Sequence, residues 1–304
     1  MRIYTITLNP AFDVHASAKK LEIGHENLAN ITSRDAGGKG INISRALSEN
    51  GVENTAIVVL GQDNGADFRS MLEEYGVNYI AIERKGRIRE NLTMHAESVE
   101  TRISFSGFSL DRVALDEIKS LIKCDNNTIV TFTGSVPNGI DISDCKKFLS
   151  WLRDCGVKIV VDSKSFSLDD LIDVGPWLIK PNGEEISAYL EKEVNGFSDC
   201  IDAAKALCEK GIENVMISLG ERGAMLVSKN FSAVAEPPTI SAISTVGAGD
   251  STIAGFISAF VDGADNEGML RRAVAFGTAA CLYDGTMSPM PENIAKVYKA
   301  VIIQ

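Results

Sequence analysis

The segment Ser244-Thr-Val-Gly-Ala-Gly-Asp250-Ser could do more chemistry than any other stretch of this chain. Gly247 and Gly249 let the backbone turn tightly just ahead of a run in which Ile253, Phe256, Ile257, Phe260 and Val261 recur at helical spacing. Successive N–H groups at such a helix start, together with the positive end of the helix dipole, form an anion site. A carboxylate placed there repels a phosphate on its own account. Asp250 makes sense as a base that takes the proton from a hydroxyl while that hydroxyl attacks a phosphoryl group held by the amides. The same residues also suit an ordinary glycine turn with an aspartate at the helix start, and GxGD alone does not separate the two.

A second glycine-rich segment, Ala36-Gly-Gly-Lys39-Gly-Ile-Asn42, leads into the apolar-periodic stretch Ile41, Ile43, Ala46, Leu47. It is neither GxxxxGK[ST] nor a GxGxxG after the first strand, so neither a Walker loop nor a dinucleotide fingerprint is present. Lys39 and Asn42 supply donors suited to a sugar or its phosphate; a turn with a solvated lysine is the other reading. Three further loops, Gly134-Ser-Val-Pro-Asn-Gly139, Lys180-Pro-Asn182-Gly-Glu-Glu185 and Ser218-Leu-Gly220-Glu-Arg-Gly223, each follow an apolar run. In open parallel sheets ligands gather at the carboxyl ends of strands, where these loops are expected. In the fourth motif, Asn182 and Glu185 offer an amide and a carboxylate near a phosphate or hydrated magnesium. Asp13 follows the first strand, and Arg87 and Arg89 precede a pair of alternating segments. An acidic protein that handles an anionic sugar needs a fixed guanidinium, and Arg89 is the candidate.

The elements that must position these residues are legible in the apolar pattern. Strands are predicted over 3–8, 55–60, 128–132, 157–161, 177–180, 214–219 and 224–228, most of them apolar on both faces. Helices are predicted over 141–155, with Ile142, Cys145, Leu149 and Leu152 on one face, and over 250–262. Strand and helix in alternation mean an α/β fold with a mainly parallel sheet. Residues 12–35 and 88–107 break the rhythm, the first with a turn at Gly24 and the second with a turn near Ser98–Glu100. Both read as β excursions forming a small discontinuous lid over a body of 1–11, 36–87 and 108–304.

Composition bounds the function. The chain has 304 residues, 45% of them hydrophobic, enough for a substantial core. Acidic residues outnumber basic ones by 41 to 30, which argues against nucleic acid or an anionic membrane as a partner. No apolar run approaches the roughly 18 residues of a membrane span, and the N-terminus lacks the pattern of a secretion leader. Six cysteines without a CxxC pair and three scattered histidines offer no zinc spacing. Reduced, mostly buried cysteines in a cytoplasmic enzyme are expected.

Taken in order, TLNPAFD, AGGKGIN, Gly86-Arg-Ile-Arg89-Glu-Asn91, GSVPNG, VDS, KPNxxE, SLGxxGA and STVGAGDS resemble the ribokinase-like sugar kinases of the phosphofructokinase B type, over essentially the whole chain. Within them the pattern is most similar to the 1-phosphofructokinase and tagatose-6-phosphate kinase branch. The resemblance implies a three-layer α/β/α body with a β-sheet lid that pairs between subunits in a homodimer. It implies ATP-dependent phosphorylation, with Mg2+, of a ketohexose phosphate: D-fructose 1-phosphate to D-fructose 1,6-bisphosphate. Tagatose 6-phosphate and fructose 6-phosphate are the alternative acceptors, and a non-catalytic sugar-phosphate sensor is the reading of another class. Carried over by position, Asp250 is the base and Gly247, Ala248 and Gly249 the anion hole. Asp13, Gly38, Lys39, Asn42 and Arg89 hold the phosphosugar, with Ser135 near it. Lys180, Asn182, Ser218, Gly220 and Gly223 belong to the nucleotide side, and Glu185 to the magnesium. Two departures stand out: Ile88 replaces the family's threonine, which is expected to cost a polar contact to the sugar, and Lys164-Ser-Phe-Ser follows Asp162-Ser.

Overall fold

The computed structural model describes residues 1–97, 99–190 and 196–304. In chain order the first half runs β1 (Arg2–Thr7), β2 (Ala11–Ala18), β3 (Asn30–Gly37), α1 (Lys39–Glu49), β4 (Thr55–Gly61), α2 (Gly65–Glu74), β5 (Tyr79–Arg84), β6 (Arg89–Ala96), β7 (Val99–Ser104), α3 (Val113–Leu121), β8 (Thr128–Thr133) and α4 (Ile142–Asp154). The second half runs β9 (Lys158–Asp162), α5 (Leu168–Val174), β10 (Leu178–Ile179), α6 (Gly183–Leu190), α7 (Phe197–Glu209), β11 (Asn214–Ser218), β12 (Ala224–Ser228), β13 (Phe231–Glu236), α8 (Ala248–Val261), α9 (Asn266–Ala280), α10 (Pro291–Ala300) and β14 (Ile302–Ile303).

The large sheet has the order β14-β13-β12-β11-β10-β9-β8-β1-β4-β5. It is parallel from β11 to β5 and antiparallel across β12, β13 and β14. The period of two along each strand sorts the side chains into opposite layers. Ile57, Val59, Val130, Phe132, Ile159 and Val161 share a core with Leu149 of α4 and Leu207 of α7. Their neighbours Ile129, Val160, Leu178 and Met216 face the other way, onto α1, α8 and α9 through Leu47, Phe256 and Leu270. Both faces are covered, which is why the strands read as continuous apolar runs rather than as alternation. The fold is ribokinase-like: three α/β/α layers with a second, smaller sheet.

That second sheet has the order β3-β2-β6-β7, with β2 and β6 parallel and the outer pairs antiparallel. Phe12, Val14 and Ile88 anchor it to α2 through Phe68 and Leu72. The turn of the second excursion sits at Glu97, where φ is 48°, while Val99 and Glu100 are already strand; Ser98 lies outside the described residues. Two other expectations need correction. The predicted strand over 177–180 shrinks to two residues, because Lys180 turns out of the ladder and Pro181 has no N–H to give. The cysteines are all free, but Cys145 and Cys200 alone are buried and the other four are partly exposed.

Candidate active site

α8 begins in a way that leaves its first turn open. Gly247 takes φ 77° and ψ −7°, a left-handed conformation that favours glycine, and no side chain caps the helix. A Cβ at Gly249 would sit 3.2 Å from the Lys180 ammonium, so glycine keeps that approach clear. Gly247 and Gly249 line a cavity of about 370 Å³, with Asp250 on its wall. Gly249, Ala248 and Thr245 line a neighbouring cleft of about 760 Å³. The amino end of α8 therefore borders both spaces, and Gly249 and Thr245 belong to each. Of the three predicted anion-hole residues, Ala248 faces the larger cleft, and its N–H also reaches Thr245 O at 3.4 Å.

Asp250 is only 7% exposed and accepts a 2.8 Å hydrogen bond from Asn42 Nδ2 on α1. Burial pushes its carboxyl up to about 6, against the opposing pull of Lys39 and the Asn42 hydrogen bond. Close by, Asp162 at the end of β9 binds Lys39 Nζ at 2.9 Å and lies 3.7 Å from Lys180 Nζ. Burial alone would raise the Asp162 carboxyl, but Lys180 and Lys39 hold it below its ordinary value. Lys39 itself is held above its usual value: burial works to lower it, and Asp162 and Asp250 outweigh burial. The result is two ammonium groups and one unprotonated carboxylate around a second carboxyl that can trade a proton near neutrality.

The other wall comes from the lid. Asn91 of β6 donates to Asp13 of β2 at 2.9 Å, and burial raises the Asp13 carboxyl despite that bond and nearby Arg102. Arg89 reaches Phe105 O at 3.3 Å and Asn9 O at 3.4 Å, and Asn9 donates to Ser135 Oγ at 2.9 Å. Burial lowers the Arg89 guanidinium, and its Nε, like Asn91 Oδ1, Asn42 Oδ1 and Thr7 Oγ1, is buried without a protein partner. Such orphaned donors and acceptors, gathered on one cavity, are what a polar ligand satisfies. Gly38, at φ 141°, completes that wall beside Lys39.

The structure brings Asp13, Gly38, Lys39, Asn42, Arg89, Ser135, Gly247, Gly249 and Asp250 onto one cavity. Asn182, Ser218, Gly220 and Gly223 line the larger cleft, where Asn182 and Ser218 also form a parallel bridge. Lys180, assigned from sequence to the nucleotide side, instead lines the smaller cavity beside Asp162. Glu185 lines neither space. Its Oε2 accepts from the Asn182 N–H at 3.0 Å, Asn182 Oδ1 accepts from the Glu185 N–H at 2.8 Å, and Lys164 stands 3.4 Å from Oε1. Arg87 is exposed and away from the cavity. Ile88 is fully buried in the core under the lid, with Asn64 bonding its N–H and C=O at 2.8 and 3.0 Å. Its side chain packs with Phe12 and Phe68 and does not line the cavity.

Arg102, Thr133 and Thr286 line the cavity but escaped the sequence reading, and Asp162, seen there only within the VDS motif, was given no role. Asp162 ends β9 and was open to the same strand-end argument as its neighbours. Arg102 sits between Thr101 and Ile103 on a lid strand, with no motif to mark it.

An α/β body whose open helix start faces a β lid across a polar cavity is the architecture of a sugar phosphotransferase. The model of the "pfkB family carbohydrate kinase" matches residues 11–293. The chain is 34% identical over 282 residues to a 1-phosphofructokinase of Vibrio cholerae, covering 92% of this chain and 89% of that protein. It is 30% identical over 306 residues to the ATP-dependent 6-phosphofructokinase isozyme 2 of Escherichia coli, covering 98% of each. A crystal structure of phosphofructokinase-2 from Escherichia coli with substrates and products superposes with a TM-score of 0.92 at 29% identity, covering 98% of this chain and 99% of that one. The chain belongs to the pfkB family of carbohydrate kinases.

Proposed function

We propose that the protein transfers the γ-phosphoryl group of ATP to the C6 hydroxyl of D-fructose 1-phosphate, giving D-fructose 1,6-bisphosphate. The observation that carries this reading is Asp250 at the helix start that separates the two spaces, with guanidinium groups on the lid side of the smaller one. ATP lies in the larger cleft along Ser218, Gly220 and Gly223, its γ-phosphoryl against Gly247, Ala248 and Gly249. The sugar lies in the smaller cavity against Asp13, Gly38, Asn42 and Asn91, with Ser135 beside it. The Asp250 carboxylate takes the C6 hydroxyl proton as that oxygen bonds to phosphorus, and the bond from phosphorus to the ADP oxygen breaks. Lys39 and Lys180 place positive charge where negative charge builds on the transferred group.

Magnesium carried in on the nucleotide supplies charge neutralisation of its phosphates. The described residues hold no cluster of three metal-binding side chains. Asn182 and Glu185, already engaged with each other's backbone, suit contact through the ion's water shell.

The acceptor's own phosphate is held by Arg89 and by Arg102, which lines the same cavity from β7. Hydrogen bonds to charged groups are worth about 1.5–3 kcal/mol, so Arg89→Ala or Arg102→Ala should each cut kcat/KM for the phosphosugar about 10- to 150-fold. The KM for ATP should barely move. Equal damage to both substrates would make these arginines structural parts of the lid.

A coupled ATPase screen against fructose, fructose 1-phosphate, fructose 6-phosphate and tagatose 6-phosphate tests the whole reading. Fructose 1-phosphate should give the highest kcat/KM and free fructose the lowest, because fructose lacks the charge that draws the lid arginines inward. Preference for fructose 6-phosphate, the substrate class named for the Escherichia coli relative, or for tagatose 6-phosphate would reassign the acceptor. A protein that binds these sugars without transfer would be a sensor, a role for which the intact Asp250 and its glycines have no use.

The reading includes a homodimer formed through the lid. Ile31, Val99 and Phe105 are 70%, 62% and 53% exposed there, an apolar patch that a second copy would cover. Sedimentation of the purified chain checks it. A cytoplasmic setting suits six free cysteines, and no described helix is long and apolar enough to cross a membrane.

A further inference from the structure

Two of the three histidines, distant in sequence, meet on the lid. His15 Nδ1 of β2 and His95 Nε2 of β6 lie 3.4 Å apart, with ring centres 5.7 Å apart and ring planes within 15°. An imidazole nitrogen sits about 1.1 Å from its ring centre, so these spacings agree only if both centres and both nitrogens lie nearly on one line. The rings are not stacked face to face. They meet edge to edge and head on, as in an N–H···N hydrogen bond. A shared metal would lack further ligands, since no group of three His, Cys, Asp or Glu side chains among the described residues could hold one.

The pair is placed to matter. Asp13 and His15 are two apart on β2 and so share a face, while Phe12 and Val14 between and beside them enter the core. Asn91 and His95 share the matching face of β6, whose register sets Asp13 opposite Asn91 and Ser17 opposite His95. The imidazoles therefore stand in line with the Asp13–Asn91 hydrogen bond, farther along the cavity face, with Glu100 of β7 opposite His95 and Arg102 opposite Thr93. Beyond them lies the body. A Cβ at Gly285 would be 3.7 Å from His15 Nε2, and Gly285 belongs to a turn closed by the Met287 N–H on Asp284 O. The next residue, Thr286, is buried, lines the cavity, and has its Cα 3.5 Å from where a Cβ of Gly247 would be. Neighbouring groups thus run from His95 through His15, Gly285 and Thr286 to the start of α8, with the two glycines leaving room for close approach.

We propose that His15 and His95 are a positioning pair, a latch that ties β2 to β6 and seats the lid on the Asp284–Met287 turn, so that a sugar bound at Asp13 and Asn91 is held at the reach of α8. This rests on the phosphosugar reading above for its substrate, but not for its geometry. At 3.4 Å the bond is longer than a relaxed hydrogen bond, and lid closure over substrate takes up the slack.

The test uses the full-length enzyme with His15→Phe, His95→Phe, the double variant and His95→Gln. His95 is exposed and His15 partly so, which keeps folding out of the comparison. Each phenylalanine variant should raise KM for fructose 1-phosphate about three- to ten-fold, the worth of one net hydrogen bond, with KM for ATP unchanged. ATP hydrolysis per sugar phosphorylated should rise with it. The double variant should lose no more than either single one, and His95→Gln, which can still bond His15, should recover most of the loss. Additive losses, equal loss in Gln and Phe, or an unchanged KM would overturn the latch. Nitrogen-15 NMR of the imidazoles, with a non-hydrolysable ATP analogue and fructose 1-phosphate, should show a coupling across the bond that strengthens when both are present. No coupling in any state overturns the latch as well. An enzyme inactive on every sugar would sink the substrate reading, and the coupling measured in the free protein would then decide the latch by itself.

Discussion

Asp250→Asn should lose about 10²–10⁴ in kcat, the usual worth of a positioned base, and still bind nucleotide. Near-normal turnover would remove Asp250 from the chemistry. Because burial pushes the carboxyl up to about 6, transfer by the unaltered enzyme should fall away as the pH drops below that value and the base fills with protons. The same shift carries a cost in stability. In the unfolded chain this carboxyl returns to its ordinary value of 3.8, so the fold binds its proton more tightly and loses stability as pH rises from near 4 through about 6. Above that range the penalty is at most about 3 kcal/mol, at 1.36 kcal/mol for each unit of displacement. The inactive Asn variant escapes it and should unfold at higher denaturant than the native protein at pH 8, while the two converge near pH 4.

Asp162→Asn should have the opposite sign. Lys180 is 8% exposed, and removing its counter-charge strands a buried ammonium group, which costs about 3–5 kcal/mol in such pairs. Lys39 keeps Asp250 as a partner and is partly solvated, so the lower end of that range is expected. The lysines hold Asp162 below its ordinary value, so its contribution is fully present above the unfolded value near 4 and disappears as pH falls through the folded one. Urea unfolding at pH 7 reads the loss directly. Stability equal to the native protein would mean that the three charges are solvated independently. Activity should fall too, since Lys39 and Lys180 lose the carboxylate that fixes them on the cavity wall.

The body was legible in the sequence because its strands are buried on both faces. Apolar runs such as TAIVVL and TIVTF have almost no other use in a chain of this composition. β5 escaped notice because it forms the edge of the sheet and alternates only weakly, β13 because its FSAVAE mixes polar and small residues, and β14 because it has two residues. Local chemistry was equally readable: the glycines of α8 and the loops at strand ends declare themselves within a few residues. Contacts between distant segments were not. Nothing near Lys39 indicates that its ammonium meets a carboxylate 123 positions away, or that Lys180 stands 3.7 Å from the same carboxylate on the wall of the smaller cavity. Ile88 shows the converse. The family pattern has a threonine there, and in this chain Ile88 packs into the core with Phe12 and Phe68, which no neighbouring residue announced.

The lid is made of two excursions that leave the body at separate points, and its central pair, β2 and β6, is parallel, with Asp13 and Asn91 meeting across 78 positions of sequence. No hairpin can nucleate that pairing. β1, α1, β4, α2 and β5 lie between or beside the two excursions, and the ends of β2 and β6 come together only once those elements are in place. Pairings that close long loops form late during folding. If the lid pairs late, a chain caught partway would own the cleft lined by residues 182–281 and lack the wall carrying Asp13, Arg89 and Asn91. On the proposed assignment of the two spaces, competence toward the nucleotide and competence toward the sugar would thus be acquired at different moments in the life of the polypeptide.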